Sequence, residues 1–157
     1  MTLAVAAVAW CVLASIRSTG WTIFLRVPST LAHELSHWVV ALVTRASPSF
    51  PSIIPRRDAA SGGWVLGSVR FKPSWGSAAL IACAPFFILA PLALELGLST
   101  HARTPEQALL QGTALAYLVQ GCLPSRVDLK IAIADPVGLA LVGLLLAGLY
   151  QYYVTLF

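Results

Sequence analysis

Five stretches of apolar residues, separated by polar segments, follow one another along the 157-residue chain. A helix needs about 20 residues to cross the hydrocarbon core of a bilayer, and each stretch comes near that length. The predicted transmembrane helices cover residues 2–16, a second segment from Trp21 or Pro28 to Val43, and residues 77–98, 105–123 and 136–153. Because no Lys or Arg precedes the first stretch, it lacks the positive start of a signal peptide and is predicted to be a retained span.

The longest polar section, residues 45–76, lies between the second and third apolar stretches. It contains four prolines, which argue against a helix. Residues 64–71 follow a Gly-Gly turn signal and predict a strand that forms half of a hairpin. The predicted fold is therefore an all-α polytopic membrane protein. It has about five transmembrane helices, a short strand or hairpin in the loop after the second one, and a single domain over residues 1–157.

The composition favours a membrane location. Apolar residues make up 58% of the chain and charged residues 10%, whereas a soluble domain has about 25% charged residues. A chain with so little charge cannot cover itself with polar surface, so the remaining apolar surface is expected to face the lipid bilayer.

The distribution of Lys and Arg predicts the orientation. With five spans, one side of the membrane receives Arg45, Arg56, Arg57, Arg70, Lys72, Arg126 and Lys130, and the other receives Arg17 and Arg103. The side with more positive charge is normally cytoplasmic, so residues 45–76 are predicted to be cytoplasmic. The pair Arg56-Arg57 fits this orienting role, and no nucleic-acid partner is predicted.

The second stretch carries the sequence His33-Glu34-Leu35-Ser36-His37. Two histidines four residues apart project from the same face of a helix and can reach one zinc ion. The Glu that follows the first His is placed to act as a general base on a water at the metal. Ionisable residues inside a membrane are costly and usually functional. The motif predicts one Zn²⁺ per chain, with His33 and His37 as ligands and Glu34 as the catalytic base.

A catalytic zinc site needs a third protein ligand. His101 is the only other histidine, and it falls on the opposite side of the predicted membrane. Asp128 is the favoured ligand, although Ser125-x-x-Asp128 also fits a helix capping box. Asp135 precedes Pro136 and fits a helix N-cap, for which Asn would serve about as well as Asp. Cys122 is a softer alternative ligand.

Taken together, the HExxH motif in a transmembrane helix, the strand-bearing loop, the Ala84-Pro85 pair and the later Leu-Pro-x-x-x-Asp resemble the site-2 protease family of intramembrane zinc proteases. The resemblance covers most of residues 28–134. It differs in that Ala84-Pro85 stands where the family has Gly-Pro, Gly121 stands in place of Asn, and Leu129 rather than Gly follows Asp128.

The resemblance implies an intramembrane metalloprotease that hydrolyses peptide bonds of membrane-anchored proteins within or near their spans. It also implies that the strand-bearing loop pairs with an extended substrate. The residues expected to do so are Trp64, Val65, Leu66, Gly67, Ser68 and Val69. The sequence contains no PDZ-like or nucleotide-binding domain, so regulation would have to come from a membrane partner or from homo-oligomerisation.

Two other functions are compatible with the motif. One is a non-proteolytic membrane binding or chaperone module of the same fold, which would have no need for a general base at Glu34. The other is a metal transporter or sensor, which would need further His or carboxylate side chains along the path, and only Glu95 is a candidate.

Overall fold

The computed structural model describes residues 2–15, 21–52, 54, 56–57, 64–65, 67–99, 102 and 104–156. Within these residues the chain is predominantly helical. The elements are the helices α1 (Thr2–Ser15), α2 (Trp21–Val43), α3 (Ala78–Ala82), α4 (Ala84–Leu98), α5 (Pro105–Cys122), α6 (Arg126–Ile133) and α7 (Pro136–Leu156), and the strands β1 (Arg56–Arg57) and β2 (Trp64–Val65).

Prolines and small polar residues mark several of the helix boundaries. The Thr104 side chain accepts a hydrogen bond from the Gln107 N–H at 3.3 Å, and Pro105 is the first residue of α5. Pro124 lies just beyond the end of α5, as expected of a residue that cannot continue a helix. The predicted third helix is instead two helices, α3 and α4, because the helix is interrupted at Cys83. Helix α6 was not predicted.

Helix α5 lies at the centre of the fold and contacts α1, α2 and α4. Alanines dominate the buried contacts, as in the cluster of Ala79, Ala82 and Ala132 that joins α3 to α6. Small residues let helix backbones approach closely, which is typical of helix packing in membranes. At the crossing of α5 with α2, a Cβ on Gly121 would lie 3.0 Å from the Ser29 carbonyl oxygen, so the absence of a side chain there allows the close approach.

The helices differ in their suitability for crossing a membrane. Among the described residues, Ala78–Leu98, which joins α3 and α4, is long and apolar enough by itself, and α6 qualifies only together with α7, across a bend of 102°. Helix α1 is apolar but shorter, and α2 carries Arg26, Glu34 and the two motif histidines, which lower its hydropathy. The predominantly helical fold is confirmed, and the five transmembrane helices remain a prediction.

The loop after α2 forms an antiparallel ribbon, which confirms the predicted hairpin in its described part. Strands β1 and β2 pair with Arg56 opposite Val65 and Arg57 opposite Trp64. Further along, the N–H and C=O groups of Ser68 both bond to Ser52, each at 3.0 Å. Regular strand structure is shorter than the predicted 64–71, because beyond Val65 the pairing continues through this isolated bridge.

Asp135 lies in the short link between α6 and α7 and caps α7, as the sequence predicted. Its Oδ1 accepts from the Gly138 N–H at 3.0 Å. Its Oδ2 accepts from the Ala79 N–H at 3.2 Å, in the first turn of α3. The hydrogen bond from Gly138, and then that from Ala79, hold the pKa of Asp135 below its usual range. Asp135 therefore connects two helix N-termini rather than capping one.

This second bond changes the expected effect of Asp135→Asn. An Asn side chain can keep the bond from Gly138, but its NH₂ group would face the Ala79 N–H, donor against donor. We expect Asp135→Asn to lower the free energy of unfolding, because the buried N–H of Ala79 loses its acceptor. The sequence alone predicted an almost silent change. Thermal unfolding would measure the difference, and an unfolding temperature equal to that of the unaltered chain would contradict the two-helix role.

Candidate metal centre

One face of α2 presents the motif residues to the inside of the fold. Residues His33 and His37 lie one turn apart on this face. His37 is buried, with 5% of its surface exposed, and the two imidazole rings meet edge to face with centroids 4.7 Å apart. The helix thus places both predicted ligands side by side, at the point where α2 faces α3 and α5.

Backbone carbonyls set the protonation of both histidines. His33 Nδ1 lies 2.7 Å from the Gly121 carbonyl oxygen, and His37 Nδ1 lies 2.7 Å from the Ile81 carbonyl oxygen. A carbonyl oxygen can only accept a hydrogen bond, so each Nδ1 carries the proton. In each neutral ring the Nε2 atom is then left with its lone pair, which is the form that ligates metals.

Asp128 joins the histidines from the start of α6. Its Oδ2 lies 3.2 Å from His33 Nε2, and its Oδ1 lies 3.3 Å from His37 Nε2. Oδ2 also accepts from the Ser125 N–H at 2.7 Å, and the Ser125 hydroxyl accepts from the Asp128 N–H at 3.1 Å. The sequence offered cap and metal ligand as alternatives for Asp128. The capping box is present, and it holds the same carboxylate against both histidines.

The resulting cluster places three hydrogen-bond acceptors in one small space. The two Nε2 atoms lie 3.1 Å apart, and the carboxylate oxygens lie 3.2 and 3.3 Å from them. Three acceptors at this distance repel unless a cation, a proton or a metal ion, sits among them. A tetrahedral zinc ion with ligands at about 2.0–2.1 Å has ligand separations of about 3.3–3.4 Å. The spacing of the Nε2 atoms and the carboxylate oxygens is therefore close to that of zinc ligands.

Glu34 lies beside this cluster and contacts the hairpin loop. The Val69 backbone N–H hydrogen-bonds its carboxylate. A Cβ on Gly67 would lie 2.7 Å from Glu34 Cγ and 2.8 Å from the Thr30 methyl carbon. Since such distances are too short for real atoms, only glycine at position 67 allows the loop to lie this close to α2.

A cavity of about 540 Å³ opens above the cluster, a size typical of ligand sites. Its lining includes both histidines, Glu34, Asp128 and the loop residues Gly67, Ser68 and Val69. Arg26, Ser29 and Gln120 also line it, and they were not predicted as site residues from the sequence. The helical spacing of positions 26, 29, 33 and 37 could have indicated the first two.

Other candidate residues have different places. The Cys122 thiol donates to the Val119 carbonyl of its own helix at 3.1 Å and does not lie with the two histidines and Asp128. Asp135 caps helices, as described above. His101 and Leu66 lie outside the described residues. Within the described part of the chain, His33, His37 and Asp128 form the group of side chains suited to hold a metal ion.

Comparisons of this chain with family models, with curated proteins and with solved structures found no significant match.

The contact of Gly67 with α2 can be tested by adding one methyl group. Gly67→Ala would push the loop off Glu34, and a displacement of about 1 Å near reacting groups can lower a rate about 100-fold. If the site is catalytic, we expect its rate to fall at least tenfold while its metal content stays unchanged. Gly143→Ala is the matched control, because a Cβ there would meet nothing within 4 Å. Equal rates in the two variants would exclude a role for this contact.

Proposed function

We propose that this protein is an intramembrane zinc metalloprotease, similar to the site-2 protease family, that cleaves membrane-anchored proteins. One observation carries the proposal. Both histidines donate their Nδ1 protons to backbone carbonyls, so that two Nε2 lone pairs and the Asp128 carboxylate converge at 3.1–3.3 Å. Glu34 stands next to this set, where a general base is needed.

The residues have distinct roles in this proposal. His33, His37 and Asp128 would hold one Zn²⁺. When bound, zinc supplies polarisation of a peptide carbonyl and activation of a water. Glu34 removes a proton from the attacking water and can later deliver it to the leaving amine. Among the described residues that line the cavity, the carboxylates are Glu34 and Asp128. The further ligands that a metal transport path would need are not among them.

The hairpin loop supports the choice of an extended peptide as the substrate. Ser68 directs its backbone N–H and C=O groups toward Ser52. In a strand, neighbouring residues direct theirs to the opposite side, so those of Gly67 and Val69 face the cavity. An extended substrate can add to this edge as a further strand, next to the metal site. The Val69 N–H, which hydrogen-bonds Glu34, would then donate to a carbonyl of the substrate instead.

Exposed apolar surface supports a membrane location. Helix α7 leaves Leu144, Leu149 and Tyr152 largely exposed, and a Cβ on Gly143 or Gly148 would meet nothing within 4 Å. Contiguous apolar surface of this kind is rare on soluble monomers. We propose that it faces lipid, together with the apolar segment of α3 and α4 and the other three predicted spans.

The proposal can be tested with purified protein in detergent micelles. The probe is a single-span fusion protein whose span contains a Gly-Pro pair, since a peptide must unwind from a helix before it can pair with a strand. We expect cleavage within or near the span that stops when a chelator removes zinc and resumes when zinc is returned. Cleavage that persists without metal would reject a metalloprotease.

The orientation can be tested with a reporter tag. We expect a cysteine or epitope inserted near residue 60 to be labelled only from the cytoplasmic side, because seven of the nine loop Lys and Arg residues fall on the side of that loop. Labelling of intact cells from the outside alone would contradict the proposed orientation.

A further inference from the structure

Pro85 stands one residue into α4, close to the carbonyl that binds His37. In an α-helix the N–H of residue i bonds to the carbonyl of residue i−4. Residue 85 would therefore bond to Ile81, but proline has no N–H to give. The Ile81 carbonyl, toward which the Cys83 N–H of the adjoining turn also points, therefore has no donor at residue 85 and accepts from His37 Nδ1 at 2.7 Å. Pro85 and Ile81 are both fully buried, so water is not the alternative donor.

A second proline acts in a similar way at His33. The helical donor for the Gly121 carbonyl would be the N–H of Ser125. Pro124 ends the helix before that bond can form, and the Ser125 N–H turns to Asp128 Oδ2 at 2.7 Å. The Gly121 carbonyl is thereby left to accept from His33 Nδ1, also at 2.7 Å.

We infer that Pro85 and Pro124 are positioning residues of the metal site. Each breaks a helix so that one backbone carbonyl becomes the partner of one histidine, holding the proton on Nδ1 and directing the Nε2 lone pair to the metal. The inference deepens the proposed function and rests on its metal site. It makes a separate statement about the metal-free protein, namely that both histidines hold their proton on Nδ1.

The tautomers can be read from histidine ¹⁵N chemical shifts. The spectrum is recorded on metal-free protein under alkaline conditions, in which the histidine side chain is neutral. We expect the shifts of His33 and His37 to show a protonated Nδ1 and a bare Nε2. A proton on Nε2 of either residue would overturn the inference. Because neither metal nor cleavage is involved, this result is distinguishable from a failure of the protease proposal.

Variants at Pro85 test whether the missing N–H of this proline sets the tautomer of His37. Pro85→Ala restores an N–H that competes for the Ile81 carbonyl. Pro85→Val does the same while keeping more side-chain volume at this buried position. We expect both variants to shift His37 toward the Nε2-protonated form. Zinc affinity should fall about tenfold, which is the smaller of the losses seen when the group that hydrogen-bonds a metal ligand is removed.

Pro91→Ala in the same helix is the matched control. Pro91 is exposed and does not line the cavity, so restoring its N–H should change neither the tautomer nor the zinc affinity. If the Pro85 variants bind zinc as tightly as Pro91→Ala and keep the Nδ1 proton, Pro85 does not position His37. If they lose thermal stability without any change in the tautomer of His37, the role of Pro85 is packing alone, and the inference fails. Should neither Pro85 variant fold, Pro124→Ala with the His33 shift as its readout decides in the same way.

Discussion

Glu34→Gln is expected to abolish cleavage while leaving zinc binding intact. Glu34 is not among the three side chains suited to hold the metal, so its charge is not needed to hold zinc. A Gln side chain keeps an oxygen that can accept from the Val69 N–H, so the contact with the loop survives. What is lost is a base able to take a proton from water, and a positioned general base typically contributes about 10²–10⁴-fold to a rate.

The matched control for this change is Glu95→Gln. Glu95 is exposed near the end of α4 and does not line the cavity, so its removal should leave cleavage unchanged. Zinc content by elemental analysis and the cleavage rate of the single-span probe would be measured for both variants. A Glu34→Gln protein that cleaves as fast as Glu95→Gln would show that Glu34 is not the general base.

Asp128→Asn is expected to lose zinc with little loss of stability. The amide oxygen can still accept from the Ser125 N–H, which preserves the capping box that begins α6. The amide NH₂ would then face His37 Nε2, now 3.3 Å from Asp128 Oδ1, and donate to the lone pair meant for zinc. Zinc affinity should fall by more than the roughly 10–100-fold that follows loss of an outer partner.

Asp135→Asn provides the opposite pattern, because Asp135 contacts helix N-termini and not the histidines. That variant should keep its zinc and lose stability, whereas Asp128→Asn should lose zinc and keep stability. If instead Asp135→Asn loses the metal and Asp128→Asn retains it, the assignment of the third ligand is wrong. Paired measurements of zinc content and unfolding temperature distinguish the two cases.

Local patterns predicted much of the fold and of the cluster. The i, i+4 spacing fixes that His33 and His37 share a helix face, whatever the helix packs against. Pro105 and Pro124 mark the start and the end of α5, because proline lacks the N–H that a position inside a helix needs. Asp128 could be selected because few ionisable residues in this chain were available to serve as a third ligand.

Contacts between distant segments could not be predicted in the same way. The carbonyls of Ile81 and Gly121 belong to apolar residues, and every residue has a carbonyl, so no side-chain pattern indicates which of them meets a histidine. The second bond of Asp135 depends on α3 lying against the start of α7. The sequence likewise offered ligand and cap as alternatives for Asp128, since it does not show that one carboxylate can serve both partners at once.

The span count illustrates a conflict between two signals. The polar residues that identify the site in α2 are the same residues that lower the hydropathy of that helix. A test on length and composition therefore passes the apolar Ala78–Leu98 segment and does not select α2. A helix whose polar face lines a cavity can cross a membrane at a hydropathy that would be too low for a helix surrounded by lipid.

The proposed metal centre is tested by comparing the zinc content of the purified protein with that of His37→Ala. We expect one zinc per chain in the unaltered protein and almost none in the variant, because His33 and Asp128 alone leave an incomplete set of ligands. An unaltered protein without zinc, or a His37→Ala protein that retains it, would contradict the proposed metal centre.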